Sequence, residues 1–310
     1  MEPWRDRDSL THTALFYTGA NEYAAVAGDF IRRGLARGEP VMVAVPGPNA
    51  LVLRGILGPD AGKVEFCDMT TLGRNPARII PAVEAFTKAH PGRPVWYVGE
   101  PIWQARTALE RAEAIRHEAL LNIAFADRPI AILCPYDATE LGPEVLAEAE
   151  RTHAALVRAG RLVDSPSFAE PAEVAERADP LPAPPAGLEA LTYRDDPGTA
   201  RAFVRDRARA SGLREPRLTD LVIAVGELAA NTLRHTNGSG VVRVWAAATE
   251  IICEVRDSGY IRDVLAGRHF PAADAVRGHG LWIVHQVCDL VEVRTGRTGT
   301  TFRLHMALRT

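Results

Sequence analysis

Three strongly polar residues interrupt an otherwise apolar stretch, GELAANTLRH at 226–235: they are Glu227, Asn231 and His235. On a helix, positions i, i+4 and i+8 drift by only about 40° per step, so these side chains share one stripe. Apolar residues around them supply the core-facing side of the same helix. An amphipathic helix with an aligned polar edge explains the spacing as well as the wall of a pocket does. The residues that follow in the sequence distinguish these two explanations.

Two glycine-containing stretches downstream favour the pocket. In VRDSGY, Asp257 ends an apolar run and Gly259 follows two residues later, so a carboxylate can project beside a flexible turn. In RGHGLWIVHQVCD, Gly278 and Gly280 directly precede a helical pattern. The free N–H groups and the dipole of a helix N-terminus favour phosphate there. A Gly-x-Gly before a helix is weak evidence alone, since an ordinary loop and cap has the same pattern.

The order of these stretches resembles the Bergerat-type ATP-binding fold, a two-layer α+β sandwich. A helix with Glu and Asn precedes a strand-end Asp-x-Gly, a Gly-x-Gly-Leu that opens a helix, and a strand that starts GTTF. Histidine kinases, gyrase, Hsp90-type chaperones and anti-sigma factor serine kinases share this fold. The resemblance covers residues 188–310, and the compact size is most similar to the anti-sigma factor kinases.

The resemblance implies ATP and Mg²⁺ as cofactors and a role for each matching residue. It implies that Asn231 coordinates Mg²⁺, whose preference is for hard oxygen ligands, and that Glu227 is general base on a serine hydroxyl. It implies that Asp257 accepts the adenine amino group and that Gly259 lets the ring approach. The remaining candidates are Arg277, Gly278 and Gly280 at the phosphates, Thr300 or Thr301 at the adenine edge, and His235 as a capping or lining residue.

One position departs from the family pattern. The family's Asp-x-Gly box often continues to a second glycine, whereas Ile261 stands there, and 261–277 is expected to form a short lid. Nucleotide binding is still predicted. The spacing does not distinguish an active kinase from a binder that only changes shape.

Two different arrangements of helices and strands are predicted, one upstream and one downstream in the chain. Upstream, short apolar runs alternate with helical stretches near 21–37, 76–90 and 105–126, which predicts a parallel sheet covered by helices on both faces. These runs are TALFYT, PVMVAV, KVEFCD, RPVWYV and PIAILC. Downstream, a largely antiparallel sheet with helices on one face is predicted. The downstream helices are near 197–211, 215–236 and 280–289, and the strands are GVVRVWAA, IICEVRD and the stretches near 290–295 and 300–308. Between the two parts, 171–187 holds five prolines and predicts a semi-rigid linker.

The upstream part begins like a RecA-type core, but its first turn, TGANEYAA, lacks the GxxxxGK[ST] phosphate loop. Residues 8–170 resemble the MEDS sensory domain of methanogen and methylotroph regulators. The resemblance rests on His12, Tyr17 and the stretches GEPIW, RHEALLN, LCPYD and RTHAALVRAG. It implies ligand sensing, with a small-molecule signal and five candidate pocket residues: Glu100, Trp103, Glu118, Cys134 and Tyr136. Each has a plainer alternative, such as a turn or cap for Glu100 and core packing for Trp103 and Cys134.

Composition excludes several other classes. The net charge of −3 gives no pull towards nucleic acid or anionic membrane. The N-terminus is no signal peptide, and no apolar run has the length that spans a bilayer, so a cytoplasmic protein is expected. The four cysteines form no CxxC pair, and His12, His117 and His153 have no ligand spacing, so neither a zinc site nor disulfides are expected.

These observations favour a sensory domain joined to an anti-sigma factor with serine kinase activity. By resemblance, its partners are a STAS-type anti-anti-sigma protein and an RNA polymerase sigma factor, which regulate transcription by partner switching; a homodimer is left open. A non-catalytic, ATP-gated binding module is the first alternative, and phosphate gain by a partner separates the two. A histidine kinase is the second, prompted by RHEALL at 116–121. It requires two long dimerising helices before the ATP domain, and the sequence places the proline linker there.

Overall fold

The computed structural model describes residues 9–176, 180–236, 238–271 and 279–308. The chain divides into two compact units, Met1–Arg177 and Ala178–Thr310. Among the described residues, no helix combines the length and the apolarity that a bilayer crossing requires.

The first unit is built on a seven-stranded sheet in the order β3-β2-β4-β5-β1-β6-β7. All neighbouring strands pair in parallel except β6 and β7, which are antiparallel. The strands are β1 Thr11–Tyr17, β2 Val41–Val45, β3 Glu65–Asp68, β4 Val95–Gly99, β5 Ile130–Asp137, β6 Ala155–Arg158 and β7 Arg161–Asp164. The helices are α1 Gly19–Ala36, α2 Gly47–Leu57, α3 Met69–Leu72, α4 Ile79–Ala89, α5 Ala108–Ala124, α6 Pro143–Thr152 and α7 Pro171–Glu176.

Helices cover both faces of this sheet, which confirms the predicted α/β class. On one face, α1 and α2 pack against a core that includes Leu15 and Leu133. The alternate residues of the same strands, such as His12 and Cys134, point to the opposite face, where they meet Glu118 of α5. Buried parallel strands read as continuous apolar runs, so the five predicted runs correspond to β1–β5.

The structure adds elements that the sequence analysis did not predict. The hairpin β6–β7 extends the sheet, and its strands are only four residues long, which leaves little pattern to detect. Residues 171–176 lie in the predicted linker but form helix α7, in which Val174 and Ala175 are buried. Pro171 occupies the first helical position, where the missing N–H removes no intrahelical hydrogen bond. The linker prediction therefore began too early.

The second unit is an antiparallel sheet in the order β11-β12-β10-β9-β8, and its described residues form three helices. Its strands are β8 Ala190–Arg194, β9 Ser239–Ala246, β10 Glu250–Asp257, β11 Leu290–Gly296 and β12 Gly299–Ala307. Its helices are α8 Pro197–Ala210, α9 Arg217–His235 and α10 Gly280–Val287. One face of the sheet shares a single core with all three helices. This is the predicted two-layer α+β sandwich.

The other face of this sheet carries charged side chains in cross-strand pairs. Arg303 of β12 donates to Glu254 of β10 (Nε–Oε2 3.0 Å), and Arg243 of β9 donates to the same carboxylate (3.2 Å). His305 lies between two carboxylates, with Nδ1 3.2 Å from Glu250 and Nε2 3.1 Å from Glu292. Because successive side chains of a strand point to opposite faces of the sheet, these charged residues alternate along each strand with the residues of the apolar core.

Candidate functional site

The second unit contains a cavity of about 940 Å³ between α9, the end of β10, the start of α10 and the start of β12. Seven of the residues predicted for nucleotide binding line it together: Glu227, Asn231, His235, Asp257, Gly259, Gly280 and Thr300. Leu228, Ile261, Ile283 and Phe302 supply an apolar part of the wall. A polar end and an apolar wall in one concave site suit a ligand with both kinds of surface.

Helix α9 presents its polar stripe to this cavity. Glu227 and Asn231 are half-buried, and His235 is exposed where the helix ends. The core side of the same helix carries residues such as Leu221 and Val225, which are fully buried. The three polar residues thus share a face because the cavity, and not the core, lies opposite them.

The backbone of Gly280 approaches this stripe closely. A Cβ atom at Gly280 would lie 2.7 Å from Glu227 Oε2 and 3.5 Å from Asn231 Nδ2. Only a glycine lets the first residue of α10 come this near to the carboxylate without displacing it. Within the described residues, no side chain caps the N-terminus of α10, so its backbone N–H groups remain available to an anion.

Asp257 is held in place by a chain of hydrogen bonds. Thr232 Oγ1 donates to Asp257 Oδ2 (2.7 Å), and the Gly259 N–H donates to Oδ1 (2.8 Å). Tyr193 OH donates to Thr232 Oγ1 (2.9 Å). Burial raises the pKa of Tyr193 to about 12, so its hydroxyl stays protonated as the donor. The carboxylate is therefore fixed as an acceptor at the cavity edge.

Gly259 and Thr300 close the turn beside Asp257. A Cβ at Gly259 would lie 3.0 Å from both Asp257 Oδ1 and Thr236 Cγ2, which leaves almost no room for a side chain. Thr300 Oγ1 donates to the Gly259 carbonyl (2.8 Å). Thr301 does not line this cavity; it follows Thr300 in β12, so its side chain points to the other face. Of the two predicted alternatives, the structure places Thr300 at the site.

Two predicted phosphate residues, Arg277 and Gly278, lie outside the described residues. The sequence did not predict the cavity residues Arg234, Tyr260 and His279, nor Thr232, which holds Asp257 from outside the cavity lining. Arg234 lies next to His235 on the last turn of α9, and its basic side chain could have identified it as a site candidate from the sequence. Nothing in the sequence could have identified Thr232, because its role depends on β10 lying against that side of the helix.

The five sensory candidates fall into two separate places in the first unit. Glu100 and Trp103 line a cavity of about 250 Å³ with Tyr17 and Asn49. Asn49 Nδ2 donates to both oxygens of Glu100 (2.9 and 2.8 Å). Burial raises the pKa of Glu100 to about 8, although these hydrogen bonds oppose the rise. At neutral pH this cavity therefore presents a largely protonated carboxyl group.

Glu118, Cys134 and Tyr136 lie elsewhere, on the sheet face under α5, and all three are buried. They surround two histidines that the sequence analysis set aside. The donor atoms of His12, Glu118, Cys134 and His153 all lie within 4.8 Å of one another. No ligand spacing along the chain indicated this cluster, because its members are brought together only by the fold, from β1, α5, β5 and the end of α6. His117, by contrast, is not one of these four.

Two family models match the chain. Residues 11–154 match MEDS, the methanogen/methylotroph, DcmR sensory domain, and residues 194–306 match the histidine kinase-like ATPase domain. Residues 11–154 are therefore a MEDS domain, and residues 194–306 are a histidine kinase-like ATPase domain. ATP binding is the property that the second domain implies. The donor set of the cavity fits it: a fixed acceptor in Asp257, an amide oxygen in Asn231 and an uncapped helix start at Gly280.

Solved structures with low similarity include the RsbU and RsbW domains of Rv1364c from Mycobacterium tuberculosis, at 20% sequence identity and TM-score 0.29. That match covers 38% of this chain and 32% of the other, so this chain spans about a third of that protein's length. The Acinetobacter baumannii histidine kinase AdeS matches at 13% identity and TM-score 0.26, over 40% of this chain and 69% of the other. A comparison with curated proteins gives no match.

Proposed function

We propose that residues 188–310 bind ATP with Mg²⁺ and act as an anti-sigma factor with serine kinase activity. The substrate is a STAS-type anti-anti-sigma protein, and the N-terminal domain controls the activity by sensing a signal. The observation that carries the proposal is the single cavity at which Glu227, Asn231, Asp257 and Gly280 meet. These residues come from three different elements and are the ones that the family resemblance assigns to ATP chemistry.

Asp257 is the residue we assign to adenine recognition. Its carboxylate cannot rotate freely, because Thr232 and the Gly259 N–H hold its two oxygens. A fixed acceptor beside a turn without side-chain bulk selects an amino group on a flat ring. The apolar wall at Leu228, Ile261 and Phe302 accommodates the ring itself.

Asn231 and the start of α10 are assigned to the charged end of the nucleotide. When bound, ATP supplies the phosphoryl group for transfer and Mg²⁺ offsets its charge. Asn231 offers a hard amide oxygen, the ligand type that Mg²⁺ prefers. The N–H groups at Gly280 offer donors to phosphate oxygens without a competing side-chain cap among the described residues.

Glu227 is the proposed general base. It lies one helical turn before Asn231 and beside Gly280, so a hydroxyl presented at the open side of the cavity can reach its carboxylate. A general base in this position contributes about 10² to 10⁴ in rate by accepting the serine proton. A phosphorylated partner then carries roughly −1.5 to −2 additional charge at the former contact, which disfavours the complex with the acidic site and frees the kinase for a sigma factor.

The direct test is transfer of radiolabelled phosphate from ATP to candidate STAS proteins. Glu227→Ala should lower incorporation about 10²- to 10⁴-fold while ATP affinity, measured by calorimetry, stays within a few-fold. Glu189→Ala is a matched control, because this carboxylate is exposed and its ion pair with Arg207 lies at the surface, where such pairs contribute little to stability. Equal background incorporation by wild type and Glu227→Ala would refute kinase activity.

That outcome would leave the second candidate, an ATP-gated binding module. One observation favours it: Ile261 stands where the family often has a second glycine, and its N–H is tied to Thr295 Oγ1 (2.9 Å). A partner pulldown whose yield changes with ATP, without any phosphate transfer, would support this function. The histidine kinase alternative has little support, since His117 is only 1% exposed and, in the described part of the chain, no pair of long helices directly precedes the ATPase domain.

The assignment of ATP to one domain can be tested by division near Pro184. We expect two soluble fragments, because each unit has its own sheet and core. ATP should bind only the fragment that contains residues 188–310. Binding by the N-terminal fragment would contradict our interpretation of its first turn as lacking a phosphate loop.

A further inference from the structure

We propose that the N-terminal domain holds a buried metal ion, Zn²⁺ by the chemistry of its ligands, coordinated by His12, Glu118, Cys134 and His153. This inference is independent of the ATP site and of the proposed kinase activity. It starts from a cluster in which all four residues are almost completely buried, with exposures of 4%, 0%, 0% and 0%. Buried charged and polar groups persist only where a partner satisfies them.

Four elements deliver the ligands to one point. His12 of β1 and Cys134 of β5 project from the same face of adjacent parallel strands, where Ala14 pairs with Cys134. Glu118 comes from α5, and His153 immediately follows α6. Each ligand therefore rests on a rigid strand, on a helix or at a helix end, which is how metal sites are kept in a defined geometry.

Four of the six distances between the donor atoms are close to those of a tetrahedral site, and all six are within 4.8 Å. His12 Nε2 lies 3.0 Å from Glu118 Oε2 and 3.4 Å from Cys134 Sγ. Glu118 Oε2 lies 3.4 Å from Cys134 Sγ and 3.4 Å from His153 Nε2. Zinc bonds of about 2.0 to 2.3 Å give a tetrahedron whose edges are about 3.3 to 3.6 Å. The four donors are thus spaced as ligands around one ion.

The hydrogen bonds outside the cluster fix both imidazoles for coordination. Asn122 donates its amide N–H groups to the Thr152 and Glu118 carbonyls (2.8 and 3.2 Å). Its Oδ1 is therefore the atom that accepts a hydrogen bond from His12 Nδ1 (3.1 Å). His153 Nδ1 lies 2.8 Å from the Ala149 carbonyl, which can only accept. Both rings therefore carry their proton on Nδ1 and turn Nε2 into the cluster, the arrangement found around metal-bound histidines.

This leaves lone pairs facing one another unless a cation lies between them. His153 Nε2 has no hydrogen-bond partner, and neither does Glu118 Oε1. A proton between two of these atoms would satisfy only one of the contacts and leave the other donor atoms facing one another. A divalent ion with one carboxylate, one thiolate and two neutral imidazoles forms a neutral unit, which suits a buried position.

The ligand types select the metal. Two nitrogens, one sulfur and one oxygen in a tetrahedral arrangement are typical of Zn²⁺, whereas Mg²⁺ and Ca²⁺ require oxygen shells. All four positions are supplied by the protein and none is exposed, which describes a closed, structural site. The ion would join α5 and α6 to the central strands β1 and β5, and so contribute to the stability of the sensory domain.

The test uses the full-length protein, reduced and free of nucleotide. Elemental analysis after reconstitution of metal-free protein with Zn²⁺ should give one ion per chain. Substitution with Co²⁺ should give visible bands of tetrahedral intensity and a near-ultraviolet thiolate-to-cobalt band. Cys134→Ser should remove the thiolate band and weaken Zn²⁺ binding by at least about 100-fold, more than loss of an outer partner would.

Cys67→Ser is the matched control, since Cys67 is a half-buried thiol of β3 in the same domain. It should leave stoichiometry and spectrum unchanged. Asn122→Ala should weaken Zn²⁺ binding about 10- to 100-fold with the thiolate band retained. A wild-type protein without stoichiometric metal, or a thiolate band that survives Cys134→Ser, would overturn the proposal. If Cys134→Ser does not fold, the wild-type cobalt spectrum and the Asn122→Ala affinity decide it, and a spectrum without the thiolate band would refute it.

Discussion

His305 gives the C-terminal domain a stability that should fall as the pH rises. Its ring is 4% exposed and lies between the carboxylates of Glu250 and Glu292, at 3.2 and 3.1 Å. Burial by itself lowers the pKa of the imidazole, but the hydrogen bonds and charges of the two carboxylates outweigh it and raise the pKa to about 9, from 6.5. Between these two values the folded protein binds a proton that the unfolded chain does not.

The direction and the magnitude of this pH-dependent stabilisation follow from the difference between the folded and the unfolded pKa of His305. The stabilisation is fully present below about pH 6.5 and is lost as the pH rises through about 9. Each pH unit corresponds to about 1.4 kcal/mol, so the whole effect is about 3 kcal/mol, or roughly a hundredfold in the unfolding equilibrium. His305→Gln keeps the size and polarity but cannot become charged, so it should cost about 3 kcal/mol at pH 6 and little near pH 9.

Hydrogen–deuterium exchange of peptides from β10 and β12 would measure this, with wild type and variant compared at each pH so that intrinsic exchange rates cancel. Exchange protection in wild type should exceed that of His305→Gln about a hundredfold at pH 6, and the two should converge at high pH. His90→Gln, at a ring that packs on Phe86 in the other unit, is the matched control. A protection ratio that does not change with pH would refute the reasoning.

Three further outcomes are expected. Asn231→Ala should abolish Mg²⁺-dependent ATP binding with the fold intact, because a ligand oxygen is lost from a half-buried surface position; unchanged affinity by calorimetry would remove Asn231 from the site. Asp257→Asn should lower the affinity for ADP far more than it lowers the melting temperature. Thr232→Val should lower this affinity less, since the substitution removes only the hydrogen bond that orients the carboxylate. Equal ADP affinities of wild type and variants in calorimetry would contradict the adenine assignment. Glu100→Gln should stabilise the N-terminal domain more at pH 9 than at pH 6, because a buried carboxyl whose pKa is raised from 4.5 to about 8 opposes folding increasingly as the pH rises between these values. A pH-independent effect in urea unfolding would show that Glu100 titrates normally.

Local pattern was enough to predict much of the architecture. Buried parallel strands need continuous apolar runs, so β1, β2, β4 and β5 stand out in the sequence, and the spacing of Glu227, Asn231 and His235 identifies a helix face without any structure. The short hairpin β6–β7 and helix α7 carry too few residues for such a pattern. Pro171 even indicated a linker, although a proline at the first helical position costs nothing.

The candidate sites, too, were predictable from the sequence in part, and in part only the folded structure shows them. The order of Asp257, Gly259 and Gly280 along the chain resembles that of a nucleotide-binding motif, so the sequence by itself predicted that they share one site. Tertiary structure alone decided that Tyr193 and Thr232 orient Asp257, because β8, α9 and β10 are brought together only by the folded sheet and its core. It also decided that His12, Glu118, Cys134 and His153 share one buried point. His12 lies more than a hundred residues before the other three, so no spacing along the chain reveals the cluster, and only the pairing of β1 with β5 under α5 makes His12 their neighbour.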